Sequence, residues 1–202
     1  MSQISGATGT ARPDAGRLIQ GHAEGDESAF PALVTAYRKP VYSYLGRCGV
    51  EHADRDDVFQ AVFLRIHRAA SQYEPDRPCH PWIFTIVANE VRSHLKRRRI
   101  RQLISAATPP AHHPEADPRD PAPDGERIAV ARQTVERLER EIRGLPLPQR
   151  EVLVLACVES LPLKDVAETL GLPLNTVKTH LRRARLALGE KLRRSAVGEE
   201  LS

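Results

Sequence analysis

Apolar residues recur at three- and four-residue intervals along most of the chain, and the period-two alternation of a half-buried strand is scarce. In ESAFPALVTAYRKPVYSYLGRCGV the residues Phe30, Leu33, Val34, Tyr37, Val41, Tyr44 and Leu45 predict a helix. Pro31 is placed in its first turn, where a missing amide costs nothing, and Pro40 marks a kink or a division. DRDDVFQAVFLRIHRAASQY follows, with Asp54, Asp56 and Asp57 ahead of Phe59, Val62, Phe63 and Ile66, so acids sit at the favourable N-terminal end of an amphipathic helix. After an EPDRPCHP turn, WIFTIVANEVRSHLKRRRIRQL points Trp82, Ile83, Ile86, Val87, Val91 and Leu95 inward. Asn89, Arg92, Lys96 and Arg99 then fall on another, cationic face.

The pattern breaks between Ala107 and Gly125, where six prolines fall in nineteen residues. Proline removes backbone donors and blocks helix continuation, so this stretch is expected to be an extended tether. Periodicity resumes in ERIAVARQTVERLEREIRGL, with Ile128, Val135, Leu138 and Ile142, and continues through PQREVLVLACVESL, KDVAETLG and NTVKTHLRRARLALGEKL. The expected fold is all-α: two small helical domains joined by a Pro-rich flexible linker, the C-terminal one a four-helix unit of helix-turn-helix type. The boundaries read as a disordered tail over 1–15, a helical domain over 16–105, the linker over 106–125, the second domain over 126–195 and a tail over 196–202.

Composition changes the picture only where charge is concentrated. The formal net charge of +4 over 202 residues is modest, but Arg92 to Arg101 holds six Lys/Arg and no acid, and Asn175 to Arg185 holds four and no acid. Two basic helices point to a polyanionic partner. The three cysteines, Cys48, Cys79 and Cys157, are dispersed with no CxxC pair, the N-terminal stretch lacks a secretory pattern, and no apolar window is long enough to span a bilayer. The expectation is a cytoplasmic protein with no direct membrane insertion. There is no metal-ligand spacing, phosphate-binding glycine loop, nucleophile elbow or paired-carboxylate constellation, so no catalytic residue, metal or cofactor is assigned.

The strongest local signature is KDVAETLGLPLNTVKTHLRRAR. A helix-turn-helix crosses its helices closely enough to require a small residue in the first, glycine at the turn and an apolar residue inside the second, and Ala167, Gly171 and Val177 stand at those offsets. Val166, Leu170, Leu172 and Leu181 supply the surrounding core. If the second helix enters a major groove, Asn175, Thr176 and Thr179 lie at its N-terminal end, and Lys178, Arg182, Arg183 and Arg185 project for bases or phosphates.

With both halves in view, the chain resembles the extracytoplasmic-function group of the sigma-70 family of bacterial RNA polymerase sigma factors. The likeness is carried by DESAFPALVTAYRKPVYSYL, DRDDVFQAVFLRIHR and YEPDRPCHPWIFTIVANEVRSHLKRRR, which resemble region two. LPLPQREVLVLACVESLPLKDVAETLGLPLNTVKTHLRRARLAL resembles region four. The resemblance implies that the region-four helix reads the minus-thirty-five promoter element. It implies that Asp56, Asp57, Phe59 and Gln60 lie near the contact with core RNA polymerase, though Ala61 replaces a customary Glu and Phe59 also suits a core position. The loop EPDRPCHPW corresponds to the segment that captures a flipped base of the minus-ten element, with Arg77, His80 and Asn89 offering polar groups and Arg92, Lys96 and Arg97 serving phosphates. Ala88 stands where the family commonly has Arg, and Trp82 is read as core rather than as a stacking platform. Expected partners are core polymerase, promoter DNA and an anti-sigma protein, often membrane-bound in this family. The rival reading is an autonomous helix-turn-helix regulator with an N-terminal sensing domain, which leaves the block from Tyr73 to Arg101 without a task.

Overall fold

A computed structural model describes residues 14–105 and 137–199, with no β-strand among them. The Pro-rich stretch, Ile128, Val135, residues 1–13 and residues 200–202 lie outside the described residues, and the helical structure reaches into both expected tails, from Asp14 and to Glu199.

The first unit begins with a helix that the sequence reading passed over, α1 (Ala15–Ala23), which buries Ala15 and Ile19. Asp14 caps it by accepting a hydrogen bond from the Arg17 amide at 3.4 Å. α2 (Ala29–Cys48) runs without division through Pro40, burying Leu33, Tyr37, Val41, Tyr44 and Leu45 along one side. It ends at Gly49, whose φ of 93° is open to glycine and lets the Val50 amide donate to the Leu45 carbonyl at 3.0 Å. α3 (His52–Ala69) buries Val58, Val62, Phe63 and Ile66. A single 3-10 turn (Ala70–Gln72) and a short loop lead to α4 (Cys79–Ser105), which at 27 residues is the longest helix described. The helix starts earlier than the expected Trp82, so His80 and Pro81 belong to its first turn, where proline is tolerated. Trp82 is half-buried with its ring 5.2 Å from that of Tyr73, as expected of a residue at the edge of a core.

In the second unit, residues 137–143 form α5, which stops before Gly144 as the sequence suggests. Ile142 is buried, whereas Leu138, one turn earlier, is 38 % exposed. α6 (Leu147–Leu153) passes directly into a π turn (Val154–Val158), and α7 (Leu163–Leu170) and α8 (Leu174–Glu199) complete the unit. α8 lies across α6 and α7, so Val152, Leu155, Val166, Val177, Leu181, Ala184 and Leu188 close one core. The steric expectations for the turn hold: Ala167 and Val177 are buried, and Gly171 adopts φ 63°.

The two units pack directly on each other. α7 lies along α4, α6 touches α2, and one continuous apolar cluster runs through both. Cys48, at the end of α2, is fully buried beside this junction, and burial pushes its thiol up to about 12.

An alanine Cβ at Gly171 would meet nothing within 4 Å, so the cost of Gly171→Ala is the left-handed backbone alone. Urea denaturation should show a loss of about 1 kcal/mol. Thiol titration should separate the cysteines: exposed Cys157 reacts at neutral pH and Cys48 only on unfolding. Because the Cys48 pKa is higher in the folded than in the unfolded state, its contribution to stability is complete below the free-thiol range and is lost as pH rises toward about 12.

Candidate nucleic-acid interface

The geometry of α8 follows from the turn before it. The left-handed Gly171 lets the Leu172 amide donate to Ala167 carbonyl oxygen at 2.9 Å, so α7 closes and the chain reverses. The new helix opens with the Thr176 and Val177 amides donating to Pro173 at 2.9 and 3.1 Å. With Val177, Leu181, Ala184 and Leu188 turned inward, the opposite face presents Asn175, Lys178, Thr179, Arg182, Arg183 and Arg185, all exposed, and Thr176, half-buried. The Thr179 hydroxyl donates back to the Asn175 carbonyl at 2.9 Å, and Arg185 leans toward Cys157 with 3.7 Å between Nη2 and Sγ. This is a convex cationic ridge with a polar tip, the shape that fits a major groove.

The second basic surface is built on α4. Polar contacts bind its middle and far end to α3 and the residue that caps it: Arg65 pairs with Glu90, His94 Nε2 lies 3.2 Å from Asp54 Oδ2, and Arg98 pairs with Glu51. Asn89, Lys96, Arg97 and Arg99 remain exposed on this helix. Arg77, in the preceding loop, is exposed and pairs with Glu74 at 2.7 Å, while the Tyr73 hydroxyl pins that loop by donating to the Arg77 carbonyl at 2.7 Å.

Two residues of the same predicted set are placed differently. Arg92 turns toward the second unit, donating from Nε and Nη2 to the two carboxylate oxygens of Glu151 at 2.8 and 3.0 Å, and from Nη1 to the Leu170 carbonyl at 3.3 Å. His80 sits with Nε2 3.4 Å from Glu159 Oε2 and with Nδ1 3.1 Å from the Tyr37 hydroxyl. The sequence reading assigned no part to Glu151 or Glu159. A signal for Glu151 exists: it is spaced three and four residues before Val154 and Leu155, which puts an acid on the apolar stripe of its own helix. Glu151 is 1 % exposed. Burial raises its carboxyl above the ordinary range, against the opposing pull of hydrogen bonds and charge from Arg92 and then of the Arg150 charge.

On α3, Asp56, Asp57 and Gln60 are exposed on the face away from the core. Phe59 is half-buried between the rings of Tyr42, at 4.7 Å, and Phe63, at 4.6 Å, and Asp56 accepts a hydrogen bond from the Tyr42 hydroxyl. Phe59 therefore supports this face more than it projects from it.

The comparisons match both halves, in order. The pattern described as Sigma-70 region 2 fits residues 33–100, and that described as Sigma-70, region 4 fits residues 135–188, so the two together span more than half of the chain. The chain belongs to the sigma-70 family, in its extracytoplasmic-function group. Among relatives of this sigma factor, RNA polymerase sigma factor CnrH of Cupriavidus metallidurans is 29 % identical over 89 % of this chain and 95 % of its own length. ECF RNA polymerase sigma factor SigM of Mycobacterium tuberculosis is 28 % identical over 90 % of this chain and 85 % of its own. The solved structure of CnrH in complex with the cytosolic domain of CnrY aligns with a TM-score of 0.62 at 26 % identity, covering 90 % of this chain and 98 % of that one. RpoE from Bartonella quintana, solved with the anti-sigma factor NepR, shares the fold with a TM-score of 0.67 at 21 % identity, over 81 % of this chain and 96 % of that one. This sigma factor directs core RNA polymerase to promoters.

Proposed function

We propose that α8 reads the minus-thirty-five element as duplex, that α4 and the loop before it bind the opened minus-ten strand, and that α3 docks on core polymerase. The observation that carries this reading is the α8 ridge. Its buried residues fix one face of the helix, and every exposed residue from Asn175 to Arg185 is polar or cationic.

In this assignment Asn175, Thr176 and Thr179 approach base edges or phosphates near the positive end of the helix dipole, and Lys178, Arg182, Arg183 and Arg185 neutralise phosphate or read guanine. On α4 and the loop before it, Arg77, His80 and Asn89 meet an unstacked base, and Arg92, Lys96 and Arg97 follow the backbone. Asp56, Asp57 and Gln60 form the polymerase contact, with Phe59 behind them. The bond-making chemistry belongs to the polymerase; the sigma factor contributes position. Such a protein works in the cytoplasm, and no helix among the described residues is long and apolar enough to cross a membrane. Control by an anti-sigma protein is supported by the relatives CnrH, solved with the cytosolic domain of CnrY, and RpoE, solved with NepR.

Run-off transcription with purified core polymerase tests the reading: addition of the sigma factor should give discrete transcripts from a subset of genomic promoters, and none at any promoter would reject it. Arg182→Ala should weaken binding of a promoter duplex by about tenfold while leaving affinity for core polymerase unchanged. Replacing Asp57 and Gln60 together by Ala should do the reverse, lowering core affinity in a pull-down titration without altering duplex binding by α8.

A further inference from the structure

α1 and α3 meet at a pair of histidines that neither the DNA-facing nor the polymerase-facing surfaces use. His22, in the last turn of α1, places Nε2 2.8 Å from Nδ1 of His67, in the last turn of α3. With 45 positions between them, the pair leaves no trace in the sequence spacing. Each ring rests against Phe30 of α2, at 4.7 Å for His22 and 5.3 Å for His67, and Phe30 in turn packs edge-on against Phe63. His22 is half-buried and His67 exposed, so the pair stands on an apolar floor and opens to solvent. Ile19, one turn before His22, and Ile66, next to His67, are fully buried, which fixes both backbones.

We propose that His22 and His67 form a two-histidine binding site for a divalent first-row cation of tetragonal preference, nickel or copper, which clamps α1 to α3. Imidazole nitrogen suits these metals, and the spacing selects their geometry. Two metal–nitrogen bonds of about 2.0 Å at a right angle put the nitrogens about 2.8 Å apart, whereas a tetrahedral angle needs about 3.3 Å. The observed separation matches the first. The rings are inclined at 40°, and rotation about the soft histidine χ2 torsions aims both nitrogens at one point. In the free pair one imidazole donates its proton to the other. The cation takes the place of that proton, which moves to the second nitrogen of the donor ring, so both rings bind neutral. Burial, and then the charge of His67, lower the pKa of His22, which keeps a nitrogen lone pair available near neutral pH. Among the described residues no group of three or more His, Cys, Asp or Glu is placed to hold a metal, so a cation on this pair keeps its other positions for water. α1 packs on α2 and the 3-10 turn, and its first turn abuts Tyr73, where a Cβ on Gly16 would come 3.1 Å from the hydroxyl. The clamp therefore steadies the helix against which the loop from Tyr73 to Arg77 rests.

Isothermal calorimetry of the untagged full chain with nickel chloride tests the site. The expected result is one equivalent bound with micromolar affinity, together with a higher melting temperature when the metal is present. No binding overturns the proposal. His22→Gln and His67→Gln should each weaken binding by about tenfold or more, since each removes one of two ligands, and should abolish the rise in melting temperature. His52→Gln, at the exposed start of α3, should change neither readout, and nor should His112→Ala with His113→Ala in the Pro-rich stretch. Binding retained in His67→Gln, or lost with the His112 and His113 pair, overturns the site. X-ray absorption at the nickel edge, on the chain carrying His112→Ala and His113→Ala, should show two imidazoles per metal. One imidazole or none overturns the proposal, and this arm needs no variant at the site. Zinc chloride should bind more weakly than nickel chloride, because the nitrogens must part by about 0.5 Å to reach tetrahedral geometry. Equal affinity for the two metals overturns the tetragonal assignment.

Discussion

One buried carboxylate organises the relation between the two halves of this sigma factor. Glu151 lies on the apolar stripe of α6, beside Tyr44 and Cys48 of α2 and against Arg92 of α4, so it cannot be solvated unless the units part. A carboxylate so placed must find a cation, and leaving either partner alone costs about 3–5 kcal/mol, whereas the intact pair adds little net stability. The pair therefore fixes which surfaces meet rather than how strongly they hold. The same geometry explains why Tyr44 is raised well above its usual range, chiefly by burial and further by its neighbours Cys48 and Glu151.

Around that point the two units divide their tasks by the residues they can leave exposed. α3 gives its inner face to Val58, Val62, Phe63 and Ile66 and its ion pairs to α4, which frees Asp57 and Gln60 on the outside. α8 buries Val177, Leu181, Ala184 and Leu188, which forces its arginines outward. α4 is the shared element: its apolar face closes the first core, and its cationic face can meet either Glu151 of α6 and Glu159 just after the π turn or a nucleic-acid backbone.

Much of this was legible in the chain. The helix-turn-helix was, because Ala167, Gly171 and Val177 are steric requirements with few substitutes, and so were the basic faces, because charge without acids is visible without coordinates. α1 was missed because Leu18 and Ile19 make too short an apolar signal to stand out beside a Gly- and Ser-rich tail. The start of α4 was placed three residues late because Pro81 reads as a breaker, although a first turn accepts it. The placement of Arg92 and His80 was not accessible at all: both carry the right chemistry for DNA, and only the tertiary packing reveals that Glu151 and Glu159 reach them first. Periodicity assigns a residue to a face of its helix, but not to the partner that covers that face.

The most direct measurement is an electron cryo-microscopy structure of this sigma factor bound to core polymerase and an opened promoter. The account predicts α8 in the major groove of the upstream element, Arg92 against the phosphates of the opened strand and Glu151 exposed to solvent. Arg92 still closed on Glu151 in that complex, with the strand passing elsewhere, would contradict it.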